Sequence, residues 1–264
     1  MERRRFESLG SECELYAIGT DADALAAAES WTRRMHDRLT RFEPRSEVSR
    51  FNASGGRWVA VSLELAALLR ESLRAFEVSD GLVNVAVLPA LLATGYTRDF
   101  DAGPTAATDP PPVPALPEVL QLRPGEARLA GGAAIDLGGI AKGWLADRLA
   151  EQLAENALAN LGGDLFARGG GETGEGWPVG FGGNTLLLKD MGAATSGTTK
   201  RAWPGGHHII DPRSGLPAKS DLREVSVLAS TAIDAEIYAK VALLLGSRDA
   251  PKWLEGRSQG WWLT

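Results

Sequence analysis

Residues 135–147 read Ile-Asp-Leu-Gly-Gly-Ile-Ala-Lys-Gly-Trp-Leu-Ala-Asp, and the chain is organised around them. A strand end carries a carboxylate at Asp136, Gly138 and Gly139 make a tight turn, and Lys142 stands at the mouth of an amphipathic helix. Glycine admits a close backbone approach, and a helix N-terminus presents free amide hydrogens with a partial positive charge. Strand, diglycine, lysine and helix in that order form a cradle suited to phosphate.

Downstream, Leu145, Leu149 and Leu153 share one helix face, with Arg148, Glu151, Gln152 and Glu155 elsewhere. Upstream, residues 121–129 predict a hairpin. Before it, residues 99–117 hold six prolines (104, 110, 111, 112, 114 and 117) and almost no apolar periodicity. Proline cannot sit inside a helix or an inner strand, so this segment is expected to be a long exposed connection. It would join two lobes, residues 1–98 and 118–264, of a single domain spanning 1–264.

In the first part, residues 12–18 predict a strand. Leu25, Ala28, Trp31, Met35, Leu39 and Phe42 recur at helical spacing and predict an amphipathic helix ending near Thr40. Residues 40–52 are dense in polar side chains and read as a connection. Ser62 caps a second helix carrying Leu65, Leu68, Leu69, Leu73 and Phe76; Asp80-Gly81 ends it, and Pro89 interrupts an apolar run at 82–92.

Asn160-Leu161-Gly162-Gly163-Asp164 is a second glycine pair beside an acid. Gly169, Gly171 and Gly174 match the letters of the dinucleotide fingerprint, but residues 177–181 read as a strand where that motif requires a helix. Residues 225–230 predict a strand. Residues 232–245 predict the last helix, with Asp234 and Tyr238 one turn apart on a shared face and Gly246 at its end.

Composition removes several classes. A net charge of −6 argues against a non-specific nucleic-acid surface, and the basic cluster Arg3, Arg4 and Arg5 reads as a solvated end. Cys13 is the only cysteine, so no internal disulfide and no cysteine-rich zinc site can form. No apolar segment is long enough for a bilayer and none near the start reads as a secretory signal, so a cytoplasmic protein is expected. The Walker pattern and the Gly-x-Ser-x-Gly elbow are missing, and adjacent His207 and His208 diverge in an extended segment. What remains suits Mg²⁺ and phosphate: oxygen ligands such as Asp234, backbone carbonyls at glycine turns, Lys142 against a pyrophosphate, and His208 to stack or move protons.

Seven clusters, in order and spacing, resemble the ApbE family of FAD:protein FMN transferases. They are Leu9-Gly10-Ser11, Ser46-Glu47-Val48-Ser49-Arg50-Phe51-Asn52, Ser79-Asp80-Gly81 with Pro89, Asp136 to Gly143, Asn160 to Asp164, Ala194-Thr195-Ser196-Gly197, and His208-Ile209-Ile210-Asp211-Pro212-Arg213-Ser214-Gly215. The resemblance implies an α+β fold, mixed sheets with packed helices, whose two lobes hold FAD in a cleft. It implies Mg²⁺-dependent transfer of FMN from FAD to a threonine hydroxyl of an acceptor flavoprotein, with release of AMP. Position by position it puts Leu9, Phe42, Leu82, Val83, Asn84, Asp136, Lys142 and His208 on FAD, with Lys142 and His208 catalytic. Gly139, through its carbonyl, and Asp234 would hold the metal. Departures are Tyr238, where the family has a metal-ligand threonine four residues after the acid, Asn84 in place of Asp, and Ala86 in place of Thr. A phenol with a pKa near ~10 is a poor Mg²⁺ ligand, which opens two alternatives: an FAD-binding protein without transferase activity, or a metal-dependent FAD hydrolase giving FMN and AMP.

Overall fold

The computed structural model describes residues 1–181 and 184–264. Strands β1 (Glu2–Ser8) and β2 (Ser11–Ile18) form a hairpin, followed by α1 (Ala22–Leu39), α2 (Glu47–Asn52), β3 (Trp58–Ala60), α3 (Leu63–Val78) and α4 (Leu88–Ala93). Beyond the proline-rich segment come α5 (Leu116–Val119), β4 (Leu120–Arg123), β5 (Glu126–Leu129) and α6 (Ala141–Leu153). Then follow β6 (Asn156–Leu161), β7 (Asp164–Arg168), β8 (Trp177–Phe181), β9 (Asn184–Leu188) and β10 (Met191–Gly197). Two short ladders pair β11 (Ala202–Trp203) with β12 (Gly206–His207), and β13 (Ile210–Asp211) with β14 (Leu216–Pro217). β15 (Glu224–Ala229), α7 (Ala232–Leu254) and β16 (Gly260–Leu263) complete the order.

The main sheet runs β1-β2-β6-β7-β10-β15-β16, antiparallel throughout. Both of its faces are covered, which the alternation of β6 records. Ala157, Ala159 and Leu161 join the core beneath α1, α6 and α7, whereas Leu158 faces Trp177, Phe181 and Leu188 of the β8–β9 hairpin. A second small sheet, β3-β5-β4, sits beside α2.

The proline-rich segment does not separate two lobes. β2 pairs with β6 and β3 with β5, so residues from both sides of it build the same sheets and one shared core. Pro89 and Pro117 also stand inside α4 and α5, at their first turns, where a missing N–H leaves no helical hydrogen bond unmade. The basic cluster at Arg3 to Arg5 is not a loose end but part of β1, with Arg3 and Arg5 paired to Glu14 and Arg4 to Glu29. The polar connection 40–52 contains α2, capped by Ser46. The last helix has its break at Gly246, as expected, but a further segment continues to Leu254; Gly246 adopts φ 78° there and Asp221 caps the restart at the Ser247 amide.

The helices meet most closely at Gly143. A β-carbon at that position would lie 2.6 Å from the Ala232 carbonyl oxygen and 2.8 Å from the Ile233 α-carbon. On the next turn of α6, Asp147 accepts from the Ala232 and Ile233 amides at 2.7 and 3.1 Å and caps α7 from outside it. Burial raises the Asp147 carboxyl to about 7 against those two bonds. Gly143→Ala is expected to destabilise the protein by about 2 kcal/mol, because backbone cannot move aside as a side chain can. Urea unfolding measures this, and a change within ~0.5 kcal/mol of zero contradicts the crossing.

Candidate functional site

The Asn52 side chain holds the opening stretch as another strand would. Its Nδ2 donates to the Ile135 carbonyl and its Oδ1 accepts from the Ile135 amide, both at 2.9 Å. The next amide, of Asp136, donates to the Val85 carbonyl at 2.9 Å, which sets residues 82–84 alongside. Asp136 Oδ1 accepts from Gly138 N at 2.7 Å, and Oδ2 accepts from Arg41 Nε at 2.8 Å. The Arg41 side chain is only 6% exposed and lies over the rings of Phe42 and Tyr96, 4.2 and 4.6 Å from their centroids. Tyr96 in turn packs against Trp203 at 5.4 Å, and the Trp203 indole donates to the Thr94 carbonyl. An aromatic wall thus stands beside the diglycine turn.

Lys142 is the second residue of α6 and makes an ion pair with buried Asp164. Burial alone would lower its pKa, but Asp164 and Glu236 outweigh that and raise it, so the ammonium is charged at neutral pH. Glu236, 1% exposed on α7, accepts from Gly143 N at 2.9 Å, and its Oε1 lies 3.5 Å from Lys240 Nζ. Burial raises its pKa, with Lys240 opposing and Asp164 adding to the rise. Lys240 reaches over the diglycine turn: its Cε would lie 3.0 Å from a β-carbon placed on Gly139.

The third side is built by the strand pair β11–β12 and the β1–β2 turn. Leu9 and Gly10 adopt φ 57° and 65°, the left-handed pair that a two-residue hairpin needs, and Leu9 accepts strain to do so. Arg201 Nη2 donates to the Gly10 carbonyl at 3.2 Å. Among the described residues Arg201 makes no ion pair. His208 donates its amide to the Arg201 carbonyl at 3.2 Å, and its Nδ1 faces the same oxygen at 3.4 Å. Burial, with Arg201 and Lys240 adding positive charge, pushes the His208 ring down to about 3, so it is neutral at physiological pH.

The structure therefore brings Leu9, Phe42, Leu82, Val83, Asp136, Gly139, Lys142 and His208 to one region. It corrects three expectations. Asp234 is not beside Gly139: its Oδ1 lies 2.7 Å from Arg74 Nη1 of α3, an ion pair without hydrogen-bond alignment, in a depression shared with Trp144 and Arg148. Glu236, not Asp234, faces the turn, since residues two apart lie about 200° round a helix. Tyr238 is half-buried and packs edge-on against Trp253 at 5.5 Å, at the edge of the core. Asn84 spends both ends of its amide on the fold, donating to the Pro114 carbonyl and accepting from Ala86 N, each at 2.9 Å. Gly139 and Asp234 therefore do not fit a divalent cation. No group of three or more His, Cys, Asp or Glu among the described residues is placed to hold one.

Arg41, Tyr96, Arg201, Trp203, Glu236 and Lys240 join the site without a local sequence signal that marks them. The i to i+4 spacing of Glu236 and Lys240 was visible, but the helical phase that turns this pair inward is set by the Gly143 crossing.

A family model described as the ApbE family matches residues 9–261. The chain belongs to the ApbE family. The FAD:protein FMN transferase of Klebsiella pneumoniae is 30% identical over 266 residues, spanning 90% of this chain and 80% of the relative. The protein of the same description from Treponema pallidum is 32% identical over 243 residues, spanning 76% and 65%. The ApbE fold is shared with the Thermotoga maritima ApbE protein, at TM-score 0.84 and 22% identity over 99% of this chain and 93% of that one. Pseudomonas stutzeri flavinyl transferase ApbE superposes at TM-score 0.84 and 20% identity over 100% and 94%. These neighbours bear out an α+β fold of the ApbE type.

His208 gives the site a pH signature. Its folded pKa lies below the ordinary 6.5, so the neutral ring contributes stability above that value, lost as the pH falls toward about 3. Compared with His208→Asn, the wild type is expected to lose at most about 1.4 kcal/mol more per pH unit across that window. Urea unfolding of both proteins reads this out, and a pH-independent difference contradicts a neutral His208.

Proposed function

We propose that this ApbE chain is an FAD:protein FMN transferase, moving FMN from FAD to a threonine hydroxyl of an acceptor flavoprotein and releasing AMP. The observation that carries the reading is the convergence of Lys142, Lys240 and Arg201 beside neutral His208, with the Tyr96–Trp203 wall adjoining. Three cations against the carboxylates of Asp164 and Glu236 leave the mouth of α6 positive, as a diphosphate requires, and the aromatic wall offers a stacking surface to a flavin or adenine ring. The names borne by the curated relatives support the same reading.

The chemistry is an attack on a phosphoanhydride. The threonine oxygen bonds to the FMN phosphorus, the bond from that phosphorus to the bridging oxygen breaks, and AMP leaves with that oxygen. Lys142 offsets the charge gathering on the diphosphate, and Arg201 assists from the opposite wall. With Nδ1 turned to the Arg201 carbonyl, His208 keeps its Nε2 lone pair to accept the hydroxyl proton. Mg²⁺ supplies charge in the scheme the resemblance implies, but the residues at Gly139 do not fit it. Arg41 holds Asp136, and Asp136 holds the turn at Gly138, so the pair fixes the floor of the cleft.

The test is incubation with FAD and an acceptor domain bearing the target threonine, following AMP release and acceptor mass. The acceptor is expected to gain the mass of FMN in step with AMP. FAD binding without AMP in any mixture overturns the transferase reading, and AMP with free FMN but an unlabelled acceptor points to a hydrolase. Lys142→Met is expected to lower AMP release at least about 100-fold while the fold persists, the scale of losing one charge stabiliser.

A further inference from the structure

The side chain that would meet a β-carbon on Gly139 belongs to a lysine and not to an oxygen ligand. Lys240 projects from α7 so that its Cε, Cδ and Nζ would lie 3.0, 3.7 and 3.8 Å from a β-carbon on Gly139. It is held there by Glu236 one turn earlier, itself fixed by the Gly143 amide and buried to 1% exposure. An acid followed four residues later by its partner is the spacing that the family resemblance assigns to the metal pair. The fold presents that spacing to the diglycine turn as Glu236 and Lys240, not as Asp234 and Tyr238.

A lysine at this place excludes the ion. Mg²⁺ needs about six oxygens at roughly 2.1 Å, and an ammonium has no lone pair to offer. It also repels a second cation, and the acids around the turn are already engaged: Glu236 by the Gly143 amide and Lys240, Asp136 by the Gly138 amide and Arg41, and Asp164 by Lys142. What lysine does provide is a point charge with three donors, a well-suited partner for phosphate oxygens. Lys142 and Lys240 flank the turn from two helices, and their summed charge equals that of one divalent ion.

We propose that Lys240 takes the place of the divalent metal, so that this chain holds the FAD diphosphate without Mg²⁺. The inference rests on the transferase reading for its ligand, but binding tests it apart from transfer. FAD affinity is measured by flavin fluorescence in excess EDTA and in millimolar Mg²⁺. Equal affinity within about twofold is expected, and a loss of tenfold or more in EDTA overturns the proposal, as does an absence of FAD binding in both. Lys240→Thr removes the charge and leaves a hydroxyl four residues after an acid; its affinity is expected to fall at least tenfold in EDTA and to recover with Mg²⁺. Unchanged affinity of Lys240→Thr in EDTA overturns the proposal. Lys240→Arg, which keeps the charge, is expected to bind in EDTA within a few-fold of wild type and serves as the folding control, with thermal melts of all three proteins. Metal-independent FAD binding without transfer to any acceptor overturns the transferase reading and leaves this one standing. Transfer that starts only on adding Mg²⁺ does the reverse.

Discussion

The site depends on one close contact, the crossing of α6 over the first turn of α7 at Gly143. With no side chain between them, the two backbones approach to a distance that any β-carbon would prevent. That approach lets the Gly143 amide reach Glu236 and lets Asp147 cap α7 from the neighbouring helix. It also fixes the helical phase of α7, and hence which residues face the cleft. Lys142 and Lys240 come from different helices, and they meet because this crossing and the shared core set both.

The cleft is an exercise in buried charge kept in pairs. Arg41 with Asp136, Lys142 with Asp164 and Lys240 with Glu236 each bring one cation and one carboxylate. Burying a charge alone is costly, whereas a partner of opposite sign offsets part of that cost. Arg201 is the exception, spending its guanidinium on the Gly10 carbonyl, and it leaves the cluster with surplus positive charge. His208 is held neutral chiefly by its burial, and the positive charge of Arg201 and Lys240 adds to that. A bound diphosphate would relieve it, which couples ligand binding to the basicity of the ring.

Several clusters that mark the family in sequence do their work at one remove. Ser46 caps α2, Glu47 accepts from the amide and hydroxyl of Ser62 at 2.6 and 2.7 Å, and Asn52 clasps Ile135. Ser79 accepts from Val83 N, steadying the turn into residues 82–84. Gly162 leaves room for the Ser11 side chain, whose Oγ would lie 2.4 Å from a β-carbon there, so the first and fifth clusters are one contact. These polar residues are dense because each satisfies a backbone group that the cleft would otherwise strand.

Local sequence was enough for the amphipathic helices, the Ser62 cap, the hairpin at 121–129, the helix end at Gly246 and the diglycine turn with its lysine. Those are local matters, written in apolar spacing, capping side chains and glycine. It also carried the family in the order of its clusters. Only the tertiary structure decided that the proline-rich segment lies across one shared core, because strand pairing such as β2 with β6 joins residues far apart in sequence. Only it decided that Asn84 serves the fold and that Glu236 and Lys240, not Asp234 and Tyr238, face the turn. The reason is rotation: two residues along a helix reverse its direction, and nothing local reveals where a glycine will let two helices touch.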